Sequence, residues 1–196
     1  ELPTCTVIVP AYNEGPMVRV SLMSALRSDY PADKLQIIAV DDGSTDGTAR
    51  ILSRLAEDPE LADLRVLVHE RNRGKGAAVR TAIGASTGSI VVIQDADLEY
   101  DPRDISRLLA PILEGHADVV YGTRLRGGQP QRAHLFWHYA GNRLLSLLTN
   151  VLYNTTISDM EVGYKVFDGD LLRSLRLVSD SFGFEPEVTA KVLRRG

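Results

Sequence analysis

The feature that most constrains this chain is the run Ile90-Val91-Val92-Ile93, apolar at every position and followed at once by Gln94-Asp95-Ala96-Asp97. A strand with one wet face alternates polar and apolar residues. One that is apolar throughout is covered on both faces, as in a parallel sheet packed between helices. The neighbouring segments agree. Thr6 to Val9, Leu35 to Val40, Arg65 to Val68 and Asp118 to Tyr121 read as further strands, with Pro10 stopping the first. Helical patterns lie between them: Gly15-Pro16 to about Ser28, Asp46 to Glu57, Lys75 to Ala85 and Pro102 to Glu114. This alternation predicts an α/β fold, a mainly parallel sheet flanked by helices. Beyond Gly128 the rhythm changes. Trp137 to Tyr153 is one long helical stretch, Asn154 to Gly163 a polar loop, and two more helices follow near Asp170 and Glu185.

The chain has 196 residues, enough for one well-buried domain, and residues 1–196 are read as a single unit. A net charge of -4 argues against a general affinity for nucleic acid. One cysteine, Cys5, excludes an intrachain disulfide and fits a reducing compartment. No apolar run approaches the roughly 20 residues of a membrane span, and no leader pattern opens the chain. The sequence starts at Glu1 without a methionine and stops at Gly196 just after a helical pattern, so a fragment is expected, with C-terminal, membrane-contacting segments beyond it.

In an open parallel sheet, ligands bind outside the carboxyl ends of the strands. The polar clusters fall there: Pro10-Ala11-Tyr12-Asn13-Glu14, Asp41-Asp42-Gly43-Ser44, Asp95-Ala96-Asp97 and Gly122-Thr123-Arg124. Asp95 and Asp97, one residue apart in extended chain, point the same way, and their crowding is relieved by a cation. Magnesium or manganese takes oxygen ligands and shares them with substrate phosphates, and Glu99 can add a third carboxylate. Alternatively, the acids are a solvated turn. Asp42 can accept from a ribose or base edge, or belong to a simple turn in which Ser44 or Thr45 serves the next helix. Glu14 is either a ligand contact or a first-turn acid, and Tyr12 either packs beside a base or covers core. Arg71-Asn72-Arg73-Gly74-Lys75-Gly76 is a basic, glycine-bearing loop opening a helix. It either receives phosphate through free N–H groups and cations or is a solvated turn. Arg124 can hold a phosphate bidentately. The four histidines show no zinc-like spacing.

Three ordered runs resemble family 2 glycosyltransferases of the GT-A fold: Val7 to Glu14, Val40 to Thr48 and Gln94 to Tyr100. Asp159-Met160-Glu161-Val162-Gly163-Tyr164-Lys165-Val166-Phe167 and Phe182-Gly183-Phe184-Glu185-Pro186-Glu187 are similar to the polyprenyl-phosphate sugar synthases, the dolichyl-phosphate mannose and glucose synthases among them. The resemblance implies a Rossmann-like GT-A sheet with a C-terminal helical, acceptor-side elaboration. It implies inverting transfer from a GDP- or UDP-hexose to a polyprenyl phosphate at the cytoplasmic face of a membrane. Pro10, Tyr12, Glu14, Val40 and Asp42 would line the nucleoside pocket. Asp95, Ala96 and Asp97 would face diphosphate and metal. Glu99 stands where relatives often carry glutamine. Arg124 would contact the donor or the acceptor phosphate, and the family places further basic residues downstream of Gly196.

Two other functions fit the residues: transfer to a sugar or protein hydroxyl with Asp159 or Glu161 as base, and a nucleotide-sugar-binding module without turnover. With a phosphate acceptor no base is required, since the acceptor is already anionic near neutral pH; Arg124 and Lys165 would then hold the anionic partners together. The leucines of Trp137 to Tyr153 make a broad apolar face that either packs in the core or meets the bilayer, as a peripheral contact.

Overall fold

The computed structural model describes residues 2–61, 63–96, 104–123 and 136–195. Six strands form one sheet: β1 (Cys5–Ala11), β2 (Leu35–Asp41), β3 (Leu64–Val68), β4 (Ile90–Ile93), β5 (Val119–Tyr121) and β6 (Lys165–Asp168), in the order β3-β2-β1-β4-β6-β5. β3, β2, β1 and β4 run parallel. Seven helices accompany them among the described residues: α1 (Met17–Leu26), α2 (Thr48–Leu55), α3 (Lys75–Ala85), α4 (Asp104–Leu113), α5 (Phe136–Tyr153), α6 (Gly169–Ser174) and α7 (Phe184–Leu193).

The period-2 geometry of a strand explains why the apolar runs were needed. Val7, Val9, Ile37, Ala39, Ile90 and Val92 join one core layer, with Leu22 and Ala25 of α1, Leu52 of α2 and Leu109 of α4. Ile8, Ile38, Val40, Val91 and Ile93 point the other way, to Ala78, Val79 and Ala82 of α3, Leu172 of α6 and Phe184 and Val188 of α7. Both faces of the central strands are therefore dry. Cys5 is fully buried, and that burial pushes its thiol up to about 12, an inert core group.

Two expectations are corrected. Pro10 does not stop β1, which continues to Ala11 paired with β2. β4 has already ended beside Ile8, so the proline, without an N–H, sits where β1 has a strand partner on one side only. The second half is not purely helical either. Lys165–Asp168 forms β6, inserted antiparallel between β4 and β5, so β5 reaches the sheet only through it.

Helix α5 has its polarity reversed relative to a surface helix. Asn142 and Ser146 are buried and Asn150 half-buried, at i, i+4 and i+8 on one face. Asn150 pairs with the backbone of Ile157 in both directions, at 2.8 and 2.9 Å, and Ser146 Oγ accepts from Met160 N at 3.1 Å. Asn142 Nδ2 donates to the buried Asp159 at 2.6 Å. This polar stripe holds the 154–162 segment that leads into β6. Leu144, Leu147, Leu148, Val151 and Leu152 are left exposed, Val151 at 72% and Leu152 at 75%. Among the described residues no helix is long and apolar enough to cross a membrane.

Candidate active site

The chain passes from β1 outward to β2 and β3, then returns to place β4 on the other side of β1. That reversal opens a crevice at the carboxyl ends of β1 and β4. The loops after β1 and β2 form its floor. Asn13 takes a left-handed φ of 55°, which asparagine tolerates. Its N–H donates to Ser44 Oγ at 2.9 Å and its Oδ1 accepts from Thr45 N at 2.8 Å. Gly15 N donates to Thr48 Oγ1 at 2.9 Å. Asp46, not Ser44 or Thr45, receives Thr48 N at the start of α2, at 3.0 Å.

Asp42 organises the next loop. Its Oδ1 accepts from His69 Nδ1 at 2.6 Å and Arg73 N at 2.9 Å, and its Oδ2 from Gly74 N at 2.7 Å. His69 is braced through Nε2 by Thr81 Oγ1 at 3.0 Å. The 71–72 backbone lies so close over Gly43 that a Cβ there would meet Arg71 C at 2.4 Å, and φ at Gly43 is +74°. Ala77 N is bonded to Asp180 O at 3.0 Å. The N–H groups of Arg73, Gly74 and Ala77 are thus taken up within the protein. Those three N–H groups are therefore not open to a phosphate, and of the expected loop donors the cationic side chains are left. Asp42 is only 2% exposed and its carboxylate faces that loop. Its neighbour Asp41, also buried, has one bond from Ser44 N at 3.3 Å, and its Oδ1 has no partner among the described residues.

Asp95 lies just past β4, at the centre of a charged cluster. Lys75 Nζ, at the start of α3, lies 2.9 Å from its Oδ1 and 3.0 Å from its Oδ2. The same ammonium reaches Glu185 Oε1 at 2.7 Å. Burial acts to lower the Lys75 pKa, but the Asp95 and Glu185 carboxylates outweigh it and hold the ammonium above its ordinary value. Lys165, at the head of β6, is 1% exposed, donates to Val162 O and lies 5.4 Å from the centre of the Tyr121 ring. Burial brings its pKa down to about 8, against the opposing pull of Glu185 and with help from Lys75. Tyr121 Oη pairs with Thr189 Oγ1 at 2.8 Å, and burial raises its pKa to about 12.

The crevice thus joins Asp95 to Lys75 and Lys165, both singled out in sequence. Tyr12 is exposed at its rim and Glu14 is half-buried after β1. Pro10 and Ala96 are buried, and the Val40 side chain lies in the core facing α3, so Val40 offers a ligand its backbone only. Asp97, Glu99 and Arg124 lie outside the described residues. The sequence reading passed over His69, whose relevant partner is Asp42 rather than another histidine. Glu185 entered only as the place of a helix and as a letter of the Phe182–Glu187 run, with no role; its position in the first turn of α7 was the available signal.

The GT-A fold of glycosyltransferases is the class that this sheet defines. The chain belongs to glycosyl transferase family 2, whose model matches residues 6–175. It is 31% identical over 97% of its length to glycosyltransferase AglJ of Haloferax volcanii, and 27% identical over 96% to the dodecaprenyl-phosphate galacturonate synthase of Rhizobium johnstonii. It spans 58% and 54% of those two proteins. Among solved structures it resembles the mannosyltransferase PcManGT of Pyrobaculum calidifontis, in complex with GDP-Man and Mn2+. The TM-score is 0.70 and the identity 27%, covering 98% of this chain and 52% of that one.

Proposed function

We propose that this chain is the catalytic domain of an inverting glycosyltransferase that moves a hexose from a GDP- or UDP-sugar to a polyprenyl phosphate. The observation that carries the proposal is the crevice, where two ammonium groups, Lys75 and Lys165, gather with the carboxylates Asp95 and Glu185 at the switch point of the sheet. Such a site suits two anionic partners, a diphosphate leaving group and a phosphate nucleophile. Similarity to a dodecaprenyl-phosphate sugar synthase and to a GDP-mannose-bound mannosyltransferase supports both halves of the reading.

A divalent cation fits the donor chemistry. Asp95 is an oxygen ligand that already faces a cation, the Lys75 ammonium. Asp97 and Glu99 follow it in sequence and would complete the set, with magnesium or manganese the fitting ions. Bound there, the ion would neutralise charge developing on the leaving diphosphate. Tyr12, Glu14, Pro10, the backbone of Val40 and the floor built on Asp42 would take the nucleoside. Arg124 and Lys165 would hold the acceptor phosphate. The acceptor oxygen forms its bond to the anomeric carbon from the face opposite the leaving group, the carbon–oxygen bond to the diphosphate breaks, and the nucleoside diphosphate leaves with the electron pair. No proton has to move, because a phosphate monoester is largely dianionic at neutral pH. The position of Asp159, wholly buried and bonded to Asn142, suits a structural part rather than a base.

The outward leucines of α5 suggest how the protein meets a lipid substrate. Core packing had been the competing role for this face, and its exposure favours shallow peripheral contact with a bilayer. The test of the proposal is a donor screen against a short polyprenyl phosphate with the full-length protein. Transfer from a GDP- or UDP-hexose is expected; transfer only to sugar hydroxyls, or no transfer from any donor, would overturn it.

A further inference from the structure

Glu185 has no part in the reaction as written, yet it is deeply buried beside the crevice. By charge alone it is a liability, because a carboxylate near a diphosphate site repels the ligand. Its surroundings explain its presence. Lys75 stands between two carboxylates, bonded to Glu185 at 2.7 Å on one side and to both oxygens of Asp95 on the other. A lysine side chain is long and costly to immobilise, about 2 kcal/mol of rotamer freedom. Glu185, in contrast, is mounted firmly. Thr189 Oγ1 donates to its carbonyl at 2.7 Å, and the same hydroxyl pairs with Tyr121 of β5. The segment before α7 is pinned to α3 by the Ala77 N–Asp180 O bond and by the Arg80–Asp180 ion pair. Gly74 and Gly76 permit that approach: a Cβ at either would meet a carbonyl oxygen of Asp180 or Ser179 at 2.3 Å.

We propose that Glu185 is a positioning residue, which anchors the Lys75 ammonium at Asp95 so that its charge meets the donor's diphosphate. The inference rests on the donor-site reading above. It assigns a task to the first glutamate of the Phe182–Glu187 run: α7 delivers one carboxylate to the N-terminus of α3, and α3 delivers the cation.

The experiment is calorimetric binding of GDP and of UDP, each with Mn2+, to the full-length protein and to Glu185→Gln, Lys75→Met and the double variant. Removing a negative charge should tighten an anionic ligand if Glu185 acts only through its own field. The positioning role predicts the opposite sign: Glu185→Gln weakens binding on the order of tenfold, the scale of one lost charge-assisted hydrogen bond. In the Lys75→Met background the same substitution should have no weakening effect. Donor KM should rise in Glu185→Gln while acceptor KM holds. Glu185→Asp serves if the glutamine variant does not fold. It keeps the charge and withdraws it by one methylene, so weaker binding again supports positioning. Unchanged or tighter binding in Glu185→Gln, or in Glu185→Asp if that variant has to serve, would overturn the inference and leave the donor site standing. Binding of neither nucleotide by the wild-type protein would remove the donor site and the inference with it.

Discussion

The half of the molecule built from β1 to β4 and the half built from β5 to α7 solve opposite problems. In the first, apolar side chains go inward on both faces of the sheet, and the polar loops at the strand ends bond to one another. In the second, polar and charged groups go inward, Lys165, Glu185, Asp159 and Asn142, while the leucines of α5 face out. The contrast separates a scaffold from a working surface. Burying Lys165 brings its pKa down to about 8, a cost that core packing does not explain and that fits the proposed site for anionic partners. The exposed leucine face of α5 is the observation behind the proposed lipid contact.

Substitutions on either side of that divide should behave differently. Phe184→Ala, in the layer beneath the sheet, should cost about 3–5 kcal/mol in denaturant unfolding. A cost below about 1 kcal/mol would mean that α7 is not part of the core. Asp42→Asn should cost about 2 kcal/mol, because the amide cannot accept from His69, Arg73 N and Gly74 N together. Full stability with a purely weakened donor affinity would instead make Asp42 a direct nucleoside contact. On α5 the expectation reverses. Leu152→Ser should change stability by no more than about 0.5 kcal/mol, yet Leu152→Glu should reduce association with anionic liposomes. A large loss of stability in Leu152→Ser would return this face to the core.

A further effect concerns pH. Glu187 accepts from Val178 N and Ser179 N and from Lys191 Nζ. Desolvation works to raise its pKa, but the Lys191 bond and the two backbone donors prevail and hold it at about 2. A folded-state value below the unfolded one, about 4.5, contributes stability that is present above pH 4.5 and lost as pH falls through 2. Glu187→Gln should therefore unfold more easily near neutrality, and the gap to wild type should close in strong acid. A constant gap over that window would deny the linkage.

How much of this was legible in the sequence follows the same divide. Ile90 to Ile93 and the largely apolar runs of β1 and β2 announced a doubly covered sheet, because local apolar pattern and final environment coincide there. β6 was hidden. It is four residues long, opens on Lys165 and finds its partners in β4 and β5, far away along the chain. The direction of α5 was hidden too, since Asn142, Ser146 and Asn150 read as a wet face until the 154–162 segment is folded onto them. Asp95 was legible from its place after an apolar strand. The inward turn of the Asp42 carboxylate was not, because it shows only in the folded 69–74 loop.

Single-turnover transfer to a polyprenyl phosphate, compared between Asp95→Ala and the pair Asp159→Asn and Glu161→Gln, tests the central claim most directly. If the crevice works by gathering charge around two anions, Asp95→Ala loses on the order of a hundredfold or more in the chemical step. Both carboxylate variants would then keep substantial rate and the same pH profile as the wild type between about pH 7 and 9, where the acceptor remains a dianion. A mild effect in Asp95→Ala, with a loss on the order of ten-thousandfold in Asp159→Asn or Glu161→Gln, would contradict the account and point to a base acting on a hydroxyl.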